Sequence, residues 1–415
     1  MTDRLYYHNS FLHDFVAALE DVRQTADGRT AVVLDRTAFY PTSGGQTFDT
    51  GWLELEPLEA ERQKFLPKLR VSEVAEDDEG LILHFVEGQI PEGAVRVRGF
   101  IDVDRRRDHM QQHSGQHILS AAFVQLFQMA TVSFHMGEET CTIDLDTKSL
   151  IAEQVRRVEA RANEIIVEDR PVSMRFVTQE KAREMGLRKV PPAERDQLRL
   201  VGIEEFDLCA CGGTHVRSTG QVGMILCRKV EKVKQGFRVE FVCGERALRY
   251  ARKDYETLTD AAGLFSANIW DLPAQIRKQL EEEKATAKAQ QKLLEEIAEL
   301  RAAQLISDTD AESGLRVVTQ VLQDRDPAFV KVLAQKLTQR EGVVAVLAAG
   351  GAQAALVLAQ SPGMTFDMGA IMKETMSALG SRGGGSKDLA QGGIPVGANP
   401  ADIIKQIADK LKSRD

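Results

Sequence analysis

Two pairs of metal-binding side chains, each spaced i, i+4, constrain this chain more than any other feature. His113 and His117 lie in Arg107-Asp108-His109-Met110-Gln111-Gln112-His113-Ser114-Gly115-Gln116-His117-Ile118-Leu119, and Cys211 and His215 lie in Cys211-Gly212-Gly213-Thr214-His215-Val216. The first pair has helix-forming flanks. Residues four apart share one helical face, so both imidazoles reach one ion. In the second pair, two glycines let the backbone turn tightly and approach a ligand closely. Either half alone is weak, because a lone His-x-x-x-His is usually two unrelated histidines. Together they require a fold that carries a distant loop back onto a helix. Nitrogen and sulfur donors in this combination suit Zn2+.

The residues between the histidines exclude one familiar chemistry. Zinc proteases of the His-Glu-x-x-His type place a glutamate base there. Here the positions hold Ser114, Gly115 and Gln116, none of which takes a proton at neutral pH. Hydrolysis at such a site must use the metal to acidify water, or borrow a base from elsewhere, the substrate included.

At 415 residues the chain has room for several domains, each with its own core. Five cysteines (Cys141, Cys209, Cys211, Cys227, Cys243) are too scattered for a disulfide scaffold, which fits a reducing, cytoplasmic setting. The start, Met1-Thr2-Asp3-Arg4-Leu5-Tyr6-Tyr7-His8, lacks a signal peptide's apolar core. The longest apolar tract, Val343 to Ala359, is broken by Gly350-Gly351 and Gln353. It reads as two strands around a turn, so no membrane partner is expected.

The formal charge is −9, but its distribution matters more than its sum. Glu54 to Arg98 holds eleven acids against six bases, whereas Arg228 to Lys253 holds nine bases against three acids. The basic stretch reads either as a face for a polyanion or as an ordinary solvated surface.

Strand-like runs at Thr30–Asp35, Gly51–Leu55, Leu81–Val86 and Ala94–Arg98 make the first part β. A long helix, about Asp104 to Phe127, carries the histidine pair and is apolar on two faces, which predicts burial. Strands at Cys141–Asp146, Val172–Val177, Met224–Cys227 and Arg238–Val242 alternate with helices near Ile151–Val167 and Gln179–Met185. Leu272 to Ile306 has no glycine and predicts a long helix, with a patchy apolar seam at Ile276, Leu280, Leu293, Ile297 and Leu300. The last hundred or so residues alternate strand and helix, with Asp326-Pro327 and Asn399-Pro400 as helix starts. Gly383-Gly384-Gly385-Ser386-Lys387-Asp388-Leu389-Ala390-Gln391-Gly392-Gly393 reads as a loop whose amides could hold phosphate, or as a plain linker. The expected fold class is α+β multidomain: a β-barrel-like domain over 1–95, a zinc-binding α+β domain over 96–255, a long helical linker over 256–313 and a C-terminal α/β glycine-rich domain over 314–415.

Several segments, in one order, carry a family resemblance. Phe39-Tyr40-Pro41-Thr42-Ser43-Gly44-Gly45-Gln46, followed by Asp49-Thr50-Gly51, resembles the glycine-rich signature of the alanyl-tRNA synthetase editing region. His113/His117 and Cys211/His215 match that family's zinc motif, and Phe134-His135-Met136-Gly137 resembles the segment after its first pair. Gly383 to Gly393 resembles the domain that ends alanyl-tRNA synthetases. With the signature beginning within the first forty residues, no class II aminoacylation core is expected ahead of it. The chain thus resembles the long-form AlaX family of freestanding editing proteins.

The resemblance implies a zinc-dependent deacylase acting on mischarged tRNA for alanine, chiefly the seryl form, with the glycyl form as a further candidate. Zinc either lowers the pKa of a bound water to about 7 or orients the substrate amine. His113, His117, Cys211 and His215 are the implied ligands. Cys209 competes by position, but the family pattern favours Cys211. Thr42 is the candidate contact to the serine hydroxyl, unless it only caps the turn. A site that bonds a hydroxyl rejects an analogue lacking it. Gly44, Gly45, Gln46, Gly212, Gly213 and Thr214 are implied at the substrate, with Gln46 on the acyl carbonyl, on the terminal adenosine or merely in the turn. His135 is the candidate catalytic residue, or else structural. Gly383, Gly384, Gly385, Lys387, Gln391, Gly392 and Gly393 are implied at the nucleic acid. A homodimer through the long helix or the C-terminal domain is the other expected partnership.

Two readings compete. Four protein ligands usually mark a closed, structural zinc site, which would make the chain a tRNA-binding module. Editing of another aminoacyl-tRNA is the other, since the threonyl-tRNA synthetase editing domain has a similar zinc-type motif. A phosphoesterase of the Asp-His-His type is disfavoured, because Asp108-His109 is followed by Met110.

Overall fold

A computed structural model describes residues 2–56, 68–91, 95–188, 197–311, 314–351 and 354–413. Ala94 and Gln353 lie outside the described residues. The chain divides into two compact units, Met1–Asp260 and Ala261–Asp415.

The first unit opens with a closed six-stranded barrel. Its strands run, around the barrel, Asp14–Gln24, Thr30–Leu34, Ile82–Glu87, Lys68–Glu76, Gly51–Leu55 and Arg96–Ile101, with every described pairing antiparallel. Alternation sends Leu53 and Leu55 inward and leaves Trp52 40% exposed, the period-two signature of a half-buried strand. Val32, Leu34, Val71, Val74, Ile82 and Val97 fill the interior. Two strands escaped sequence reasoning. Asp14–Gln24 buries only Phe15 and Ala17, so its apolar alternation is faint. Lys68–Glu76 shifts register between Val71 and Glu73, and such a bulge erases the period.

Helix α1, Val103–Phe127, follows the barrel. Every residue from Gln112 to Phe123 is buried, as a helix apolar on two faces should be. A four-stranded antiparallel sheet, in the order Ile225–Val233, Gly236–Cys243, Cys141–Asp146, Ala130–Met136, shares a core with α1 and with α2, Ala152–Val167. A separate three-stranded antiparallel sheet, Val172–Thr178, Gln197–Ile203 and Asp207–Ala210, delivers the Cys211 loop. Thr178 caps the short α3, Gln179–Glu184, and α4, Gly244–Leu264, follows directly from Cys243.

The second unit holds α5, Leu272–Ser307; α6, Pro327–Leu337; α7, Met368–Ala378; and α8, Pro400–Lys412. Its sheet runs Arg316–Leu322, Val343–Ala349, Ala355–Gln360, Leu389–Gly393, Gly383–Gly385; only the first pair is parallel. Val343–Ala349 is buried throughout. Alternation divides it: Val344, Val346 and Ala348 join Met372, Met376 and Ile403, while Val343, Ala345 and Leu347 join Ala302, Phe329 and Leu333. A strand covered on both faces reads as a continuous apolar run, which accounts for the apolar tract. Among the described residues no helix is long and apolar enough to cross a membrane. Along α5, Ala298, Ala302 and Leu305 are buried, whereas Ile276, Leu280, Leu293, Ile297 and Leu300 stay exposed.

The expected loop at 383–393 is a β-hairpin, and this corrects the sequence reading. Gly383–Gly385 pairs with Leu389–Gly393, whose other side pairs with Ala355–Gln360. A side chain at Gly383 or Gly392 would collide with Met376 and Met372 of α7. Glycine is needed there for close packing. Its turn is also engaged: the Lys387 carbonyl accepts from Met368 N at 2.9 Å, and the Asp388 carbonyl from Gln360 N at 3.0 Å.

Candidate metal centre

His113, His117, Cys211 and His215 converge, with one ligand atom from each within 4.8 Å of the others. Helix α1 supplies the first two from one face. The loop after Asp207–Ala210 supplies the others, and Arg199 fixes it by donating to the carbonyls of Cys211 (2.8 Å) and Gly213 (3.0 Å). A side chain at Gly213 would overlap the His113 ring at 2.2 Å, so only glycine lets the loop sit this close.

Two of the outward ring nitrogens are hydrogen-bonded and the third faces a carboxylate, which leaves the inward ones to ligate. His113 Nδ1 donates to Gln46 Oε1 at 2.7 Å. Because that oxygen only accepts, the proton sits on Nδ1, and Nε2 is free 3.4 Å from Cys211 Sγ. His215 Nδ1 meets Ser114 Oγ at 3.1 Å, with Nε2 3.3 Å from the same sulfur. His117 Nδ1 lies 3.3 Å from Asp207 Oδ2, an ionic contact misaligned for a full hydrogen bond. Asp207 is itself clamped by Arg188 at 2.7 and 3.1 Å. Partners of this kind orient ligating imidazoles and set their tautomers.

Electrostatics point the same way. Burial opposes ionisation of Cys211, yet His113 and His215 hold its thiol well below the ordinary value. Burial pushes His215 down to about 3. Burial also opposes charge on His117, but Asp207 and Cys211 leave its pKa raised. Three imidazoles and a thiolate-prone cysteine fit a tetrahedral metal of the zinc type.

The cluster borders a cleft of about 400 Å³, within the usual range for small-molecule sites. His113, His117 and Cys211 line it, with Tyr40, Ser43, Gly44, Gln116, Thr131 to Phe134, Arg188, Cys209, Ala210, Gly212 and Gly213. Gly44 (φ +58°) and Gly45 (φ +85°) form a tight turn closed by Ser43 and Gln46. Left-handed backbone at both positions favours glycine. Met136 N bonds the Gly45 carbonyl at 2.9 Å, docking the turn on the strand Ala130–Met136. Behind it, the buried Arg106–Asp49 pair ties α1 to the 39–49 segment, and Asp49 also accepts from Tyr40 N at 2.7 Å.

Other expected residues fall elsewhere. Thr42 is exposed, donates its N–H to the Val74 carbonyl at 3.2 Å and does not line the cleft. His135 is exposed and also off the cleft. Its neighbour Phe134 packs on His113 with ring centroids 5.3 Å apart. Gln46 is fully buried behind His113 and accepts from Thr214 N at 3.1 Å while donating to Thr214 Oγ1 at 2.9 Å. Cys209 lines the cleft but stands outside the four-atom cluster. Sequence reasoning missed Ser114, Gln116, Arg188 and Asp207. The only available signal for the first two was their place between the histidines; the others carried none.

Three family models match parts of the chain: tRNA synthetases class II (A) over residues 2–105, the Threonyl and Alanyl tRNA synthetase second additional domain over 198–239, and the DHHA1 domain over 314–413. The first spans the barrel, the second contains Cys211 and His215, and the third covers the C-terminal sheet. The chain is 29% identical over 419 residues to the alanyl-tRNA editing protein AlaX-L of Pyrococcus horikoshii, covering 100% of this chain and 99% of that protein. It is 32% identical to the alanine–tRNA ligase of Archaeoglobus fulgidus and 34% to that of Natronomonas pharaonis, with 95% of this chain covering 42% of each ligase. The chain therefore spans less than half of these ligases and nearly all of AlaX-L.

Proposed function

We propose that this chain, similar along its whole length to a long-form alanyl-tRNA editing protein, is a zinc-dependent trans-editing hydrolase. It deacylates mischarged seryl-tRNA for alanine, with the glycyl form as second substrate. The observation that carries this reading is the opening of the four-donor cluster onto a cleft lined by three of its own ligands. A purely structural site has no need of such an opening.

His113, His117, Cys211 and His215 would hold the ion. Bound there, zinc supplies positive charge that polarises an ester carbonyl or orients the substrate amine. The chain's own residues do the rest. Gly44, Gly212 and Gly213 bring backbone to the cleft wall without side chains in the way, and Phe134 gives an apolar surface beside His113. Water adds to the ester carbon, the bond to the ribose oxygen breaks, and that oxygen takes up a proton. No carboxylate lines the cleft among the described residues, so the first proton acceptor is assigned to the substrate's own amine, directly or relayed through a ribose hydroxyl that gives up its proton as it takes one.

Serine recognition is assigned to Gln116. It is buried, lines the cleft and is steadied by donating to Ser120 Oγ at 2.8 Å, while Thr131 donates to the same oxygen at 2.7 Å. Binding alanine would leave that amide short of a partner, which costs about 1–3 kcal/mol for a buried polar group.

The test is incubation of the purified protein with seryl-, glycyl-, alanyl- and threonyl-tRNA, with and without chelator. Chelator-sensitive loss of the seryl ester, with the alanyl ester spared, is expected. No ester loss above buffer in any arm overturns the enzyme reading. Four protein donors and the burial of His215 favour a second reading, a tRNA-binding module with structural metal. That reading predicts tRNA binding without hydrolysis.

A further inference from the structure

Four of the nine bases in the stretch 228–253 are ion-paired. Arg228 pairs with Asp254, Lys229 with Glu231 at 2.6 Å, Arg238 with Asp144 at 2.7 Å and Arg246 with Asp108 at 2.6 Å. Lys232 and Lys234 are exposed and have no ion-pair partner among the described residues. They stand at the tip of the hairpin formed by Ile225–Val233 and Gly236–Cys243. Across from them, in the turn after Cys141–Asp146, Lys148 is also exposed and unpaired among the described residues.

These three lysines line one cleft of about 560 Å³, in which Asp146 is the sole acid among the described lining residues. The cleft adjoins the metal site. Val132, half exposed, lines both it and the cleft beside His113. Val132 belongs to Ala130–Met136, the edge strand of its sheet, so no further strand separates the two clefts on that side.

We infer that the Lys148–Lys232–Lys234 cleft binds the phosphodiester backbone of the terminal nucleotides whose 3′ ester enters the metal cleft across Val132. The inference rests on the deacylase reading for the identity of the ester. A chain of net charge −9 repels a polyanion on average, so binding needs local unpaired cations. Lysines are mobile point charges that grip phosphates without reading bases. A cleft three ammonium groups wide suits a substrate that must be held by backbone while its last residue enters another pocket.

The test is a Lys148→Ala, Lys232→Ala, Lys234→Ala variant of the full chain, checked for unchanged circular dichroism and metal content. Binding of uncharged tRNA is titrated over a range of salt. Releasing three phosphate contacts should flatten the slope of log affinity against log salt by about 2 and weaken low-salt binding roughly tenfold or more. With seryl-tRNA, KM should rise while the single-turnover rate at saturation holds. A seryl ester of adenosine, which carries no phosphodiester, should be hydrolysed alike by both proteins. Wild-type salt slope and affinity in the variant overturn the inference. If the wild type hydrolyses no ester, the deacylase reading fails, while a salt-slope change in the variant still supports the lysine cleft as a nucleic-acid site.

Discussion

Gln46 orients His113 from the far side of the four-donor cluster: its Oε1 accepts from His113 Nδ1 at 2.7 Å and from Thr214 N at 3.1 Å. One amide thus ties the glycine-rich turn, helix α1 and the Cys211 loop together. Gln46→Leu removes this tie while filling similar volume. Zinc affinity should fall roughly 10- to 100-fold, measured by competition with a chromogenic chelator. Wild-type affinity would mean that packing alone orients the ring.

Asp207 does for His117 what Gln46 does for His113, but with charge. It is buried between that ring and Arg188. Asp207→Asn keeps the shape and strands the guanidinium. Zinc affinity should drop about tenfold or more, and urea unfolding should show a loss of about 3 kcal/mol. An Arg188→Met, Asp207→Asn double variant should recover part of the stability and none of the affinity. Recovery of both would make the carboxylate's effect purely structural.

Serine discrimination tests the assignment of Gln116. Gln116→Leu should lower the ratio of seryl to alanyl hydrolysis at least roughly tenfold, as expected when a hydroxyl loses its buried partner. Thr42→Val should leave that ratio alone, because Thr42 is exposed off the cleft. The reverse pattern returns the contact to Thr42.

The convergence of His113, His117, Cys211 and His215 was legible in the sequence because helical geometry fixes what i, i+4 means, and because Gly212-Gly213 advertises close approach. Helix α1 and the interior strand Val343–Ala349 were legible for a related reason: burial on both sides imposes a continuous pattern. Features that depend on partners far along the chain were not. Asp207 and Arg188 matter only because a three-stranded sheet brings them behind His117. His135 was singled out by its neighbours in the sequence; the structure leaves it exposed and off the cleft, while Phe134 packs on His113. The glycines at 383–393 signalled backbone freedom, whereas the methionines of α7 impose tight packing there. Barrel strands with a bulge or few apolar residues left no period to read.

The barrel carries a pH signature separate from the metal site. Burial pushes His84 down to about 4 from the ordinary 6.5, with its ring held by Thr37 Oγ1 at 2.8 Å and the Val32 carbonyl at 3.1 Å. Between those values the unfolded chain binds a proton that the folded chain does not. Stability is therefore fully present above about pH 6.5 and is lost as pH falls toward 4, by on the order of 3 kcal/mol. Trp52 fluorescence in a Trp270→Phe background reports on the barrel. A His84→Leu variant should show a shallower fall over that window. Burial also holds His109 near 4, so part of the slope should remain; identical slopes in both proteins contradict the assignment.

X-ray absorption on the zinc-loaded protein tests the convergence of the two ligand pairs most directly. One sulfur at about 2.3 Å and three nitrogens at about 2.0–2.1 Å are expected, with the sulfur signal lost in Cys211→Ser and kept in Cys209→Ser. A shell with two sulfurs, or one of nitrogen and oxygen alone, would contradict the site.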